Sequence, residues 1–184
     1  MTFSERAIGA LKLDVNTFED LERDPTAMGQ AVGIIALAAL ASGLANIWYG
    51  GITGIVFGVI ASLIGYSLWA VVVWLVGTKL MPDPATKADF PETFRVIAFA
   101  ATPGVFMIIT IIPILGWLLL FLLWPITFLW TIAIMVIAVR QVLDYTETFK
   151  AVIVVIIGFV AYLCLWWIMA MMSFGAMFMS GMMS

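Results

Sequence analysis

The sequence predicts an all-α fold: a polytopic integral membrane helical bundle of five transmembrane helices, N-in and C-out. Three observations carry this. Hydrophobic residues make up 65% of 184 and charged residues 10%, where soluble domains carry about 45–50% and about 25%, so a soluble domain could not hide this much apolar surface. The charges fall in three short stretches, Glu5–Asp24, Lys79–Arg95 and Arg140–Lys150, which leave uncharged runs of 54 residues (25–78), 44 residues (96–139) and 34 residues (151–184). Turn signals then divide the two longer runs, Tyr49-Gly50-Gly51 in the first and Pro113-Ile114-Leu115-Gly116 in the second.

In chain order, residues 1–25 form a cytoplasmic amphipathic segment. Phe3, Ala7, Ala10, Leu11, Phe18 and Leu21 recur at roughly helical spacing among charges, which predicts one or two short interfacial helices lying on the membrane. Asn16-Thr17-Phe18-Glu19 reads as a capping box that starts the second, and Asp24-Pro25 as the break before the first span. Some 24 polar-rich residues precede the first apolar run, unlike a cleaved signal peptide. Residues 26–184 form the membrane domain, with spans at about 27–48, 53–77, 94–112, 117–139 and 151–172. Each meets the roughly 20 residues that cross about 30 Å of hydrocarbon at 1.5 Å per residue. Asp89 with Glu92, and Asp144 with Glu147, read as capping boxes before the third and fifth spans. Glu92-Thr93-Phe94-Arg95 and Glu147-Thr148-Phe149-Lys150 are near repeats, each opening a span. Pro103 and Pro125 are expected to kink the third and fourth spans.

Orientation follows from Lys and Arg. If five spans alternate, all eight basic residues lie on one side, and the positive-inside rule makes that side cytoplasmic. Trp48, Tyr49 and Trp117 then mark the outer interface. Eleven acidic residues share the basic side, which argues against a polybasic lipid anchor.

The composition also bounds the chemistry. With no His and one Cys, the chain offers no disulfide framework, no zinc site and no His-based acid–base pair. No ionisable carboxylate, Lys or Arg lies inside a span, whereas proton relays and coupled transport depend on such groups. No catalytic residue, cofactor or nucleic-acid partner is expected.

What remains are packing and docking candidates. Gly29 with Gly33, and Gly54 with Gly58, are GxxxG pairs that allow close helix approach, either within the chain or between copies. The C-terminal Met177, Met179, Met182 and Met183 are weak metal candidates, because thioethers suit Cu(I), yet Met is equally an apolar filler. A last helix running on to residue 183 would overrun the bilayer and need covering. Charged-side residues Phe18, Asp24, Phe90, Glu92, Phe94, Arg95, Arg140, Asp144 and Phe149 form the candidate partner-docking surface.

The pattern resembles the Ypt-interacting-protein (Yip) domain family, prokaryotic-type members in particular, from about residue 14 to 172. The resemblance rests on Phe18-Glu19-Asp20 through Asp24-Pro25, on Phe90-Pro91-Glu92-Thr93-Phe94-Arg95 leading to Pro103, and on Ala138-Val139-Arg140-Gln141-Val142-Leu143-Asp144-Tyr145 followed by Thr148 and Ala151. It implies a five-span, N-in plan. Eukaryotic members of that family bind small prenylated GTPases through an Asp-Leu-Tyr-Gly-Pro type motif before the first span. Here Leu21-Glu22-Arg23-Asp24-Pro25-Thr26 stands in that place, so GTPase binding does not carry over. Prokaryotic members imply an integral membrane protein without established activity.

Three functions are therefore expected in order: a non-enzymatic membrane scaffold or accessory protein, a pathway for a neutral solute through the kinked third and fourth spans, and a Met-rich copper site. The expected partners are the lipid bilayer and other membrane subunits or further copies of the chain. The expected location is a prokaryotic inner or plasma membrane.

Overall fold

The structure, a computed structural model, describes residues 1–183, the side chains of Tyr49, Leu115, Leu120, Leu123, Trp124, Leu165, Trp166, Met169 and residues 172–183 excepted. Among the described residues it is all-helical. In order come α1 (Phe3–Leu11), α2 (Val15–Arg23), a 3-10 turn (Pro25–Ala27), α3 (Met28–Ala45), α4 (Ile47–Leu75) ending in a π turn (Val76–Leu80), α5 (Phe90–Ala100), a long 3-10 segment (Thr102–Ile111), α6 (Leu115–Val142) and α7 (Thr148–Met183). Four helical stretches among these are long and apolar enough to cross a membrane: Pro25–Ala45, Gly50–Leu80, Phe90–Ile111 and Pro125–Val142. In α7 the corresponding apolar stretch is the shorter Thr148–Cys164.

The third stretch departs from the expected single kinked helix. Pro103 has no N–H to give and its ring meets the preceding turn, so α5 stops at Ala100 and the chain continues as 3-10 helix. The carbonyl that Pro103 frees is not left bare, because the Thr102 hydroxyl donates to the Phe99 carbonyl at 2.5 Å. Pro125, by contrast, sits inside α6, which remains one helix from Leu115 to Val142. The two expected loop breaks fall where the turn residues are. Gly51 takes φ 56°, ψ −138° between α3 and the long run of α4, a region that glycine enters freely. Ile114 takes φ 62° immediately before α6.

The caps differ in detail. Asp89 and Glu92 form the expected reciprocal box on α5: the Glu92 N–H donates to Asp89 Oδ1 at 2.7 Å, and the Asp89 N–H to Glu92 Oε2 at 3.0 Å. Asn16 does not start α2. Asp14 caps it, accepting from the Asn16 N–H at 3.1 Å and the Thr17 hydroxyl at 3.0 Å. Asp144 caps no helix either. It has φ 51°, and α7 starts later, at Thr148, because Tyr145 turns inward and donates its hydroxyl to the Met81 carbonyl at 2.8 Å. Thr2 and Glu5 form a capping box on α1 that the sequence pattern did not single out.

The largest departure concerns α1 and α2. Much of their apolar stripe turns into the bundle, while Ile8 and Val15 stay exposed. Ala10, Phe18 and Leu21 are buried in one core with Ile34, Val73, Phe99, Ile134 and Val154. The Phe3 ring packs on Phe99 at 6.0 Å, and Trp130 Nε1 donates to the Leu11 carbonyl at 2.9 Å, satisfying the open C-terminus of α1. An amphipathic helix buries its stripe wherever an apolar surface is at hand, and here α5 and α6 offer one. Elsewhere large side chains such as Phe121, Leu129 and Ile126 are exposed on the outside, as a helix surface facing lipid requires.

Candidate functional site

The three charged stretches meet at one end of the bundle. Arg6 of α1 is 1% exposed. Its Nε donates to Asp20 Oδ2 at 2.8 Å, Nη1 to Gln30 Oε1 at 2.9 Å and Nη2 to Asp24 Oδ2 at 2.5 Å. One guanidinium thus joins α1, α2 and the start of α3, using the planar fork that makes Arg suited to such roles. Asp24 also accepts from the Thr26 hydroxyl and N–H, and these bonds, with Arg6, pull its carboxyl down to about 2. Arg95 of α5 is 4% exposed. It donates to the Leu21 carbonyl at 2.8 Å and the Glu22 carbonyl at 2.5 Å, two of the carbonyls that a helix C-terminus leaves open. Gln141 Nε2 reaches Glu19 Oε1 at 3.3 Å and ties α6 to the same helix.

A second clasp holds the two loops. Asp83 Oδ1 pairs with Lys150 Nζ, and its Oδ2 accepts from the Thr146 N–H and hydroxyl at 3.3 Å each. The Lys150 ammonium, helped by Thr146, holds the Asp83 carboxyl below the usual carboxylate range. Thr86 donates to the Leu143 carbonyl at 2.6 Å. Burial, then the Asp83 charge, pushes the Tyr145 hydroxyl up to about 12. Burial followed by the nearby Asp144 and Glu92 charges pushes the Glu22 carboxyl up to about 7.

These contacts redistribute the docking candidates. Phe18 and Arg95 are inside the chain and belong to no surface. Asp24 is held by Arg6. Phe90 and Phe94 are half-buried, Phe90 lying edge-on to Trp74 at 5.9 Å and 6.0 Å from Phe94. Glu92 is half-buried in its cap. Arg140, Asp144 and Phe149 are exposed, Phe149 at 69%. Sequence reasoning missed Arg6, Asp83 and Tyr145. Asp83 lies between Pro82 and Pro84, and nothing local shows that it reaches Lys150, 67 residues away.

The glycines separate in the same way. A Cβ on Gly58 would lie 2.9 Å from Gly43 Cα and 2.6 Å from Asn46 Nδ2, and one on Gly54 would lie 2.7 Å from the Asn46 carbonyl, so these two sit in a tight α3–α4 contact. Gly29 has nothing within 4 Å, and Gly33 only the Phe3 ring at 4.0 Å. The side chains of Met177, Met179, Met182 and Met183 lie outside the described residues.

Away from the charged end, α3, α4, α7, α6 and the long 3-10 segment each pack on the next in a ring. Between these elements lies a half-open cavity of about 880 Å³, lined from Ile97 and Val152 past Trp69 to Thr110 and Trp117, with the exposed Phe57 and Ile156 at its rim. Trp48 Nε1 ties the far end of α3–α4 to the 3-10 segment through the Thr110 carbonyl at 3.2 Å.

Residues 11–168 match the model of the Yip1 domain. No curated protein and no solved structure matches the chain.

Proposed function

The chain belongs to the Yip1 domain family and is an integral membrane protein, and from that premise we propose that it is a non-enzymatic scaffold or accessory subunit that docks into a larger membrane assembly through its charged end. The observation that carries this is the use made of the buried charges. Arg6, Arg95 and Asp83 are each engaged by groups of the same chain, and their effect is to fix α1, α2 and both loops as one rigid face. Such a pre-ordered face loses less conformational freedom on binding than a mobile one. At this end Phe149, Arg140 and Asp144 are exposed, and aromatic and Arg side chains are the usual anchors of interfaces.

In this reading α7 is the fifth span. Its 36 residues correspond to about 54 Å of helix, ample for the hydrocarbon. In the same reading the charged end is cytoplasmic by the positive-inside rule, with the N-terminus inside and the C-terminus outside, and the membrane is a prokaryotic plasma membrane because the sequence resembles prokaryotic-type members. Purification from native membranes in a gentle detergent, followed by mass measurement of the intact particle, tests the proposal. A particle heavier than one chain supports it, and a strict monomer without partners contradicts it.

A further inference from the structure

Both ends of α1 are fixed to membrane spans. At its start the Phe3 ring packs on Phe99 at 6.0 Å and lies 4.0 Å from the Cβ position of Gly33. At its end the Leu11 carbonyl accepts from Trp130 Nε1 at 2.9 Å. Gly33, Phe99 and Trp130 belong to three of the stretches that are long and apolar enough to cross a membrane, Pro25–Ala45, Phe90–Ile111 and Pro125–Val142. Counted from its start at Leu115, α6 reaches Trp130 after only about 22 Å, short of the roughly 30 Å of hydrocarbon that it crosses. The corner between α1 and α2 therefore cannot stand clear of the membrane. It lies at the level of the headgroups, or just below them, in the leaflet on the charged side.

The side chains of this corner suit that depth. Arg6 turns away from it to Asp20, Asp24 and Gln30. Ile8 near the end of α1 and Val15 at the start of α2 are exposed, as are Ile126, Leu129 and Trp130 on the face of α6 that carries the bond to Leu11. The apolar surface of the corner thus runs on into the surface that meets lipid. Between Ile8 and Val15, Leu13 turns the chain with φ 62°, and Lys12 donates its N–H to the Ile8 carbonyl at 3.0 Å. The Lys12 side chain is exposed and enters no ion pair among the described residues. The acids nearest to it in sequence are occupied with caps: Glu5 accepts from the Thr2 N–H at 2.7 Å, and Asp14 from the Asn16 N–H at 3.1 Å and the Thr17 hydroxyl at 3.0 Å. A Lys at such a level lays its stem along apolar surface and sends its ammonium to the headgroups.

We propose that the α1–α2 corner is a lipid-binding surface, with Ile8 and Val15 at the boundary of headgroups and acyl chains and the Lys12 ammonium on a phospholipid phosphate. It calls for no protein partner and stands whether or not the charged end docks one.

The test uses the full chain with Cys164→Ser, in vesicles of phosphatidylcholine and phosphatidylglycerol, carrying one nitroxide at a time at Ile8→Cys, Val15→Cys, Leu129→Cys or Ala85→Cys. Leu129 is the reference for lipid, and Ala85, exposed in the loop at the charged end, the reference for water. Collision rates with dissolved oxygen and with a water-soluble nickel chelate give the depth of each label. The labels at 8 and 15 are expected roughly 5–10 Å below the phosphates, shallower than 129, while 85 stays in water. Lys12→Glu raises chelate collisions at position 8 about fivefold, the weight of one Lys at an anionic lipid surface, and Lys12→Arg leaves them unchanged. In maltoside detergent, which has no phosphate, Lys12→Glu leaves the melting temperature unchanged, as a residue that serves lipid rather than the fold requires. Labels at 8 and 15 as open to the chelate as 85, labels there shielded from both reagents by protein, or unchanged collisions in Lys12→Glu overturn the proposal.

Discussion

Replacing Arg95 by Met should detach the N-terminal helices before it unfolds the bundle. Met keeps the length and apolar bulk of the Arg stem, so packing around a residue that is 4% exposed is largely preserved. What is lost is the pair of bonds to the Leu21 and Glu22 carbonyls at 2.8 and 2.5 Å. A hydrogen bond to a charged group contributes about 1.5–3 kcal/mol. The Leu21 bond is fully buried and the Glu22 bond only partly so, and a sum of about 3 kcal/mol is therefore reasonable. That corresponds to a roughly 150-fold larger population of the detached state, at 1.36 kcal/mol per factor of ten. Amide exchange followed by mass spectrometry reads it directly: peptides within 3–23 should exchange about two orders of magnitude faster, while those within 128–142 of α6 keep their protection. Unchanged exchange across 3–23 would refute the clasp. Equal acceleration of both regions would show that Arg95 holds the bundle as a whole rather than its N-terminal helices.

Further outcomes follow from the same geometry. Gly58→Ala forces a Cβ to within 2.9 Å of Gly43 Cα and should destabilise by about 1–3 kcal/mol. Gly29→Ala meets nothing within 4 Å and should be neutral or stabilising by up to about 1 kcal/mol through helix propensity. Thermal unfolding in detergent separates the two, and equal effects would show that the α3–α4 contact is not tight. Glu22, raised to about 7 from 4.5, holds its proton more firmly in the folded chain. Its folded-state advantage is therefore complete below about 4.5 and is lost as pH rises to about 7. The melting temperature of the native chain should accordingly fall over that interval relative to Glu22→Gln, and parallel pH profiles would contradict the assignment. Asp83→Asn removes the charge that Lys150 and Thr146 hold. It should lower the melting temperature and speed exchange in loop 81–89. Because the Asp83 carboxyl lies below its ordinary value, the difference from the native chain should be present above the ordinary carboxylate range and vanish as pH falls through the lowered value.

Much of the membrane architecture was legible because its signals are local or additive. The uncharged runs, Gly51 in the first turn, Ile114 between Pro113 and Gly116, and the Asp89–Glu92 box depend only on neighbours along the chain. Pro103 was legible as a disturbance but not as a change from α to 3-10 helix, since a missing N–H says only that the α pattern fails, not what replaces it. The amphipathic stripe of α1 and α2 was legible, but the surface it meets was not. Phe18 and Leu21 have the same spacing whether they face lipid or Val96 and Ile134, and only the tertiary fold decides. Two of the docking candidates, Phe18 and Arg95, turn inward for the same reason: an aromatic beside a charge marks an anchor of either kind, and these two anchor the chain to itself. Asp83 with Lys150, and the cavity around Trp69, arise from residues far apart in sequence, whose meeting leaves no periodic trace.

The central claim is that the clasped charged end is a docking face. Its most direct test is the mass of the intact particle from native membranes in gentle detergent, measured for the native chain and for Phe149→Ala with Arg140→Glu. Both side chains are exposed, and the one bond lost is the long one from Arg140 Nε to the Tyr145 carbonyl at 3.3 Å, so the fold should stay intact, which the melting temperature of the double variant checks. A native particle heavier than one chain that falls to a single chain in the double variant is the predicted result. A native particle of one chain, or a heavier particle that the double variant leaves unchanged, contradicts the claim.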